Sequence, residues 1–251
     1  MTGAPRWPIC AGMIQPAPST PITDPVQLFA ATVLREGVDE PTLACLRQLG
    51  QSHQVSRGCA APLKESEDQL VFVAEGATKL VAHVAVGREQ ILAFHFARDL
   101  VWVPARLMCA FSLCAVADSD IVAFPAHRLL DYARDRAAIL GVLLERSMQA
   151  LHGSRSEAIT LGRKSAQERV ASFLLAIADR IGSPEGSSAL LELPMSRRDI
   201  ADSLGLTIET VSRQLSELRL LGLIETSGRS FVRLRNLCGL RERAGQVPLA
   251  A

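Results

Sequence analysis

The chain has 251 residues, of which 48% are hydrophobic and 21% charged, and its formal net charge is +1. The apolar share excludes wholesale disorder, and the length allows one large domain or two smaller ones. So small a net charge neither demands nor forbids a nucleic-acid partner, and six cysteines in a chain of this length, in a reducing compartment, read as thiols and not as a disulfide framework.

The start, MTGAPRWPIC, meets prolines where a secretory signal would carry an apolar stretch, and no run of 18 apolar residues follows anywhere. The expectation is a cytoplasmic protein with no membrane partner. Residues 1–25 hold six of the thirteen prolines, which predicts an extended or flexible tail. Helical spacing follows from Pro25 to Gly50, carried by Leu28, Phe29 and Val33 and then by Leu43, Leu46 and Leu49.

Between Val55 and Pro125 short apolar runs (LVFVAEG, KLVAHVAVG, QILAFHF, DLVWV, DIVAF) alternate with turn signals at Gly58, Gly76 and Gly87. That texture predicts an antiparallel barrel or sandwich. After Pro125 the strand texture stops, and no proline occurs from Leu129 to Leu161. Leu140, Leu144, Ser147, Leu151, Ser154, Ala158 and Leu161 fall at alternating steps of four and three. This is a heptad seam, degraded at its two serines, and it points to a parallel helix pair; a lone amphipathic helix lying on its own domain is the alternative. A second helix is expected from Ser165 to Ile181, then a loop over Gly182–Ser188.

The segment Pro194 to Leu234 carries the function. Ser196 followed by Asp199 resembles a capping box and starts a short helix from Arg197 to Leu204, which Gly205 ends. Thr207 is a good N-cap for a second helix, Thr207–Leu221. On that helix Val211, Leu215 and Leu218 share one face, and Glu209, Ser212, Arg213 and Ser216 share the opposite one. A recognition helix in the major groove needs such a compact polar side near its N-terminus. Arginine can bond guanine O6 and N7 together, glutamate can accept from cytosine N4, and hydroxyls suit a phosphate or a base edge. Glu209 and Arg213 alone would also make an ordinary surface ion pair. A wing follows, Leu223–Thr226, a Ser227–Gly228 turn and Ser230–Leu234, with Arg229, Arg233 and Arg235 on or beside it to neutralise phosphates. From Leu190 onward there are nine arginines and no lysine against seven acids, so the basic footprint is local. The candidate DNA contacts are Glu209, Ser212, Arg213, Thr207, Ser196, Arg197, Ser216 and Arg229.

Three stretches make the sequence resemble the CRP/FNR superfamily, in particular its FNR/FixK branch: LGRKSAQERVASFLL (Leu161–Leu175), MSRRDIADSLGLTIETVSRQLSELRLLGLI (Met195–Ile224), and the strand-rich section around FVAEGATKLV and GREQILAFHFARDLV. The resemblance implies an α+β chain: an N-terminal β-roll like a cyclic-nucleotide-binding domain (26–128), a long dimerisation helix (129–163) and a C-terminal winged helix-turn-helix (164–245). It also implies a homodimer on a palindrome resembling TTGAT-N4-ATCAA, with Glu209, Ser212 and Arg213 reading each half-site, RNA polymerase as a further partner, and control linked to oxygen limitation or redox change. No nucleophile–base pair, phosphate loop or metal cluster suggests an enzyme.

No cofactor is expected. Oxygen-sensing members hold an iron–sulfur cluster on closely spaced N-terminal cysteines and one β-roll cysteine. Here the N-terminus offers only Cys10, with Cys45 and Cys59 far downstream, and Val122 stands at the β-roll position. Members that bind cyclic nucleotides use a Gly-Glu helix start and an Arg-Ser or Arg-Thr pair. The stretch DLVWVPARLMCAFSLCAVA has neither, its single arginine is Arg106, and Arg98 replaces the glycine that usually precedes the aspartate. His95, between Phe94 and Phe96, could point into the roll and ligate haem as in some nitric-oxide-responsive relatives, but a strand histidine is the plainer reading. Cys109 and Cys114 read as core cysteines, with a redox-responsive thiol left open.

Overall fold

The computed structural model describes residues 24–34, 38–105, 109–185 and 188–246. The proline-rich tail up to residue 23, with Cys10, and Arg106 therefore lie outside the described residues. The chain opens on α1 (Pro25–Leu34) and α2 (Glu40–Leu49). Pro25 begins a helix, where its missing N–H costs nothing. Asp39 caps α2 by accepting from the Thr42 N–H.

Seven strands follow: β1 (Gln51–Val55), β2 (Gln69–Glu75), β3 (Ala77–Ala85), β4 (Arg88–Phe96), β5 (Leu100–Val103), β6 (Ala110–Ala115) and β7 (Ser119–Pro125). They form two antiparallel sheets, ordered β1-β7-β2-β5 and β4-β3-β6. Val71, Val73, Val101, Leu113, Ile121 and Ala123 meet between them as the inner core of a β-roll. The strand β2 is buried along both faces because α1 covers its outer side: Phe29 packs edge-on against Phe72 and tilted against Phe124. A strand covered twice reads as a continuous apolar run, as LVFVA does. Gly76 turns the chain from β2 to β3 at φ +87°, where a Cβ would sit 2.2 Å from the Asp118 carbonyl oxygen.

The next helical stretch is divided. α3 (Ala126–Ala133) ends in a turn at Arg134, and α4 (Ala137–Arg163) runs on for 27 residues. The single helix expected from Leu129 is broken between Ala133 and Ala137 without proline or glycine, and residues on both sides of the break, Leu129 and Ala133 of α3 and Ile139 and Leu143 of α4, bury into the core beneath α1.

The C-terminal part comprises α5 (Ala166–Ile181), β8 (Ser183–Glu185), β9 (Ser188–Glu192), α6 (Arg197–Leu204), α7 (Ile208–Leu220), β10 (Ile224–Ser227), β11 (Phe231–Leu234) and α8 (Leu237–Arg243). Its sheet is ordered β10-β11-β9-β8. The segment expected as a loop after Gly182 is a short hairpin, with Pro184 opposite Ala189 on the outermost strand, where proline costs no ladder bond. A β-roll, a long helix and a winged helix-turn-helix thus follow one another, the α+β arrangement expected.

The outer face of the β4-β3-β6 sheet is not solvent-facing throughout. Val81, Ile91, Phe94 and Phe96 share one apolar cluster with Val170, Leu174, Ile200 and Leu215 of the C-terminal part, and Phe94 meets Phe173 edge-on at 6.0 Å. Polar ties surround this contact. Lys79 Nζ lies 2.6 Å from Asp199 Oδ1, Gln90 donates to the Asp202 carbonyl at 2.7 Å, and Arg180 bonds both Asp99 and the Phe94 carbonyl. No helix among the described residues is long and apolar enough to cross a membrane.

Candidate nucleic-acid interface

The helices α6 and α7 are defined by local chemistry. Ser196 caps α6: its Oγ accepts from the Asp199 N–H at 3.1 Å, and Asp199 accepts in return from the Ser196 N–H at 2.8 Å. Gly205 closes the helix in the left-handed region at φ +61°. Thr207 then caps α7 by accepting from the Thr210 N–H at 3.2 Å. Val211, Leu215 and Leu218 are buried beneath α7, while Glu209, Ser212, Arg213 and Ser216 are exposed together above it. The N-cap Thr207 is exposed beside them.

Glu209 does not pair with Arg213 in an ion pair among the described residues. Its carboxyl is held below the ordinary value by its own backbone N–H and the Thr207 hydroxyl, with the Arg198 charge nearby. An ionised carboxylate at a helix N-terminus is electrostatically favoured there and keeps both oxygens as acceptors. Arg213 has no side-chain partner among the described residues, so its five donors face outward. Arg198, exposed on α6, is a cation close to this surface that the sequence reading did not single out.

The other candidates fall differently. Ser196 is exposed, but its hydroxyl is committed to the cap and to Asp199 Oδ2 at 2.6 Å. Arg197 is half-buried, its Nη1 has no partner, and burial lowers its pKa. Arg229 is exposed at the wing tip, between the paired Ser227 and Phe231. Arg235 is bonded to Glu225 across the wing at 2.6 Å.

Along α4, Ile139 and Leu143 turn into their own domain, but almost everything from Leu144 to Arg163 is exposed. Leu140, Leu144, Met148, Leu151 and Ile159 make an apolar stripe, with Leu144 and Met148 61% and 64% exposed. Ser147, Ser154 and Ala158 are exposed beside it, and the two serine hydroxyls donate back to the Leu143 and Ala150 carbonyls. Leu161 departs from the stripe: it is half-buried near Gly205 of its own chain. Met148 and Ile159 are the stripe members the heptad reading passed over.

In the β-roll, Val122 is fully buried beneath the helices and offers no ligand atom. Arg98 adopts φ +72°, a left-handed backbone that glycine takes more readily than arginine, and Asp99 after it accepts from the Phe96 N–H at 2.7 Å. His95 pairs across the strands with Thr78, which in turn faces Ala115 of the inner core. Neither His95 Nε2 nor Thr78 Oγ1 has a partner, and burial pulls the imidazole down to about 4 against the opposing pull of the Asp99 carboxylate. Cys114 is half-buried beside Lys79, and burial raises its thiol. Among the described residues no three His, Cys, Asp or Glu side chains gather as a metal site.

Residues 168–243 match the Crp-like helix-turn-helix domain family. A probable transcriptional activator of Rhizobium leguminosarum bv. viciae is 36% identical over 183 residues, which is 71% of this chain and 76% of that protein. The transcriptional activator protein FnrL of Cereibacter sphaeroides is 31% identical over 214 residues, 82% of this chain and 86% of its own length. The solved structure of FixK2 from Bradyrhizobium japonicum aligns with a TM-score of 0.67 at 30% identity, covering 80% of this chain and 99% of that one. With a Crp-like helix-turn-helix domain and transcription regulators as its relatives, the chain belongs to the CRP/FNR family of DNA-binding transcription regulators.

Proposed function

We propose that two copies of this chain pair along α4 and read a palindromic site resembling TTGAT-N4-ATCAA, one α7 in each half-site. The observation that carries the reading is the four-residue polar face of α7, exposed opposite three buried apolar residues. Glu209, Ser212 and Arg213 make the base contacts, while Thr207, Ser216, Arg198 and Arg229 serve the backbone. The exposed apolar stripe on α4 supports the pairing, since about 20 residues of helix with an uncovered apolar side seek a partner. The residues divide into roll (26–128), pairing helix (129–163) and reading head (164–245). The names of the relatives, both transcriptional activators, support activation as the output; RNA polymerase as a partner and a response to oxygen limitation or redox change are what the resemblance to the FNR/FixK branch implies. Titrating purified protein against a set of duplexes carrying every single-base change in the half-site tests the reading. A loss confined to symmetric half-site positions supports it; equal affinity for all duplexes sinks it.

A second reading is favoured by the unpartnered His95 Nε2 and Thr78 Oγ1 on the inner face of the roll. Buried polar atoms are nearly always bonded, so two such neighbours suit a small polar effector that bonds both and gates the head. If the ligand-free dimer binds its operator at full affinity, an obligatory effector is excluded. An absorption spectrum of anaerobically purified protein with no visible bands excludes haem and an iron–sulfur cluster.

A further inference from the structure

The guanidinium of Arg169, on the first turns of α5, is bonded to three carbonyl oxygens from two other segments. Nε donates to Lys164 O at 2.9 Å, Nη2 to Leu161 O at 2.6 Å, and Nη1 to Leu204 O at 3.0 Å. Leu161 O and Lys164 O lie at the C-terminal end of α4, and Leu204 O at that of α6. The last carbonyls of a helix have no partner within it and carry its partial negative charge. One cation therefore draws together the ends of two helices, the pairing helix and the first helix of the reading head. The neighbouring linker is fastened too, because Lys164 Nζ donates to Ser172 Oγ at 2.7 Å.

The planar fork fixes angles as well as distances, which a flexible ammonium does not. The end of α4 therefore cannot swing against α6 without breaking a charge-assisted bond, and α6 carries α7 by direct packing across the Gly205 turn. From this junction we propose that Arg169 is the positioning residue that sets the angle between pairing helix and recognition helix, and so the half-site spacing the dimer accepts. The inference rests on the paired reading of a two-fold site. Half-sites must lie a fixed helical distance apart, so a change in this angle acts on spacing before it acts on base choice.

The test measures affinity of the full-length wild type, Arg169→Ala and Arg169→Lys for duplexes whose half-sites are separated by three, four, five or six base pairs, and for a duplex with a single half-site. The wild type is expected to prefer one spacer by about tenfold or more over its neighbours. Arg169→Ala should bring all four spacers to within about threefold of each other while keeping the base preference at the single half-site. Arg169→Lys, which replaces one bond of the three, should fall between and guards against misfolding of the alanine variant. A residue that merely stabilised the fold would lower affinity evenly, so an unchanged spacer profile in either variant overturns the inference. A wild type that ignores spacing overturns the paired reading itself, and is told apart from the first failure by that control.

Discussion

Arg213→Ala is expected to damage reading while leaving the fold intact. The side chain is exposed and has no partner among the described residues, so its removal should change folding stability by less than about 0.5 kcal/mol. A bidentate arginine–guanine contact is worth about 1–3 kcal/mol, and a two-fold site loses two of them, about 2–6 kcal/mol in all. At the lower end that is about a thirtyfold weaker dissociation constant. Fluorescence anisotropy on labelled duplexes can read both parts. Wild-type protein should lose affinity when one guanine in each half-site is replaced, and Arg213→Ala should no longer notice that replacement. A variant that binds as tightly as wild type and still discriminates that base would refute the assignment of α7 as the reading element.

Other outcomes follow from the same structure. His95 is neutral when folded, with its pKa near 4 against about 6.5 when unfolded, so the unfolded chain binds the extra proton as pH falls. Stability should therefore drop by about 2 kcal/mol between pH 7 and pH 5, measured by urea unfolding, and His95→Gln should flatten that slope. Leu144→Asp should shift the protein toward monomer in sedimentation equilibrium, because it places a charge on the exposed stripe of α4; an unchanged dimer would remove α4 as the interface. Gly76→Ala forces a Cβ to 2.2 Å from the Asp118 carbonyl at a left-handed residue, and should cost about 3 kcal/mol in thermal unfolding.

What could be read from the sequence was what local chemistry controls. The limits of α6 and the start of α7 are written in Ser196, Asp199, Gly205 and Thr207, each of which bonds or bends its own few neighbours. The strand β1 carries no such signal, because Val55 is the one apolar residue of QSHQV and the segment is a strand through its pairing with β7. The break between α3 and α4 carries no proline or glycine, so no local signal marks it. On α4 a ladder of fours and threes keeps a period of 3.5, whereas a straight helix turns every 3.6 residues and drifts about 20° per heptad. By Leu161 that drift has carried the ladder toward the chain's own reading head, and Met148 and Ile159 occupy the outward side instead. The tripartite bonding of Arg169 joins segments 8 and 35 residues apart, and no local pattern announces it.

The apolar cluster shared by Val81, Ile91 and Phe94 with Val170, Leu174 and Leu215 bears on how this protein can be rearranged. Regulators are often imagined as interchangeable heads on interchangeable bodies. Here the body contributes part of the head's own interior, so a head grafted from a relative would meet a surface shaped for α5 and α6 of this chain. Exchange would succeed only if β3 and β4 travelled with it, which makes the inheritable unit larger than the DNA-binding segment.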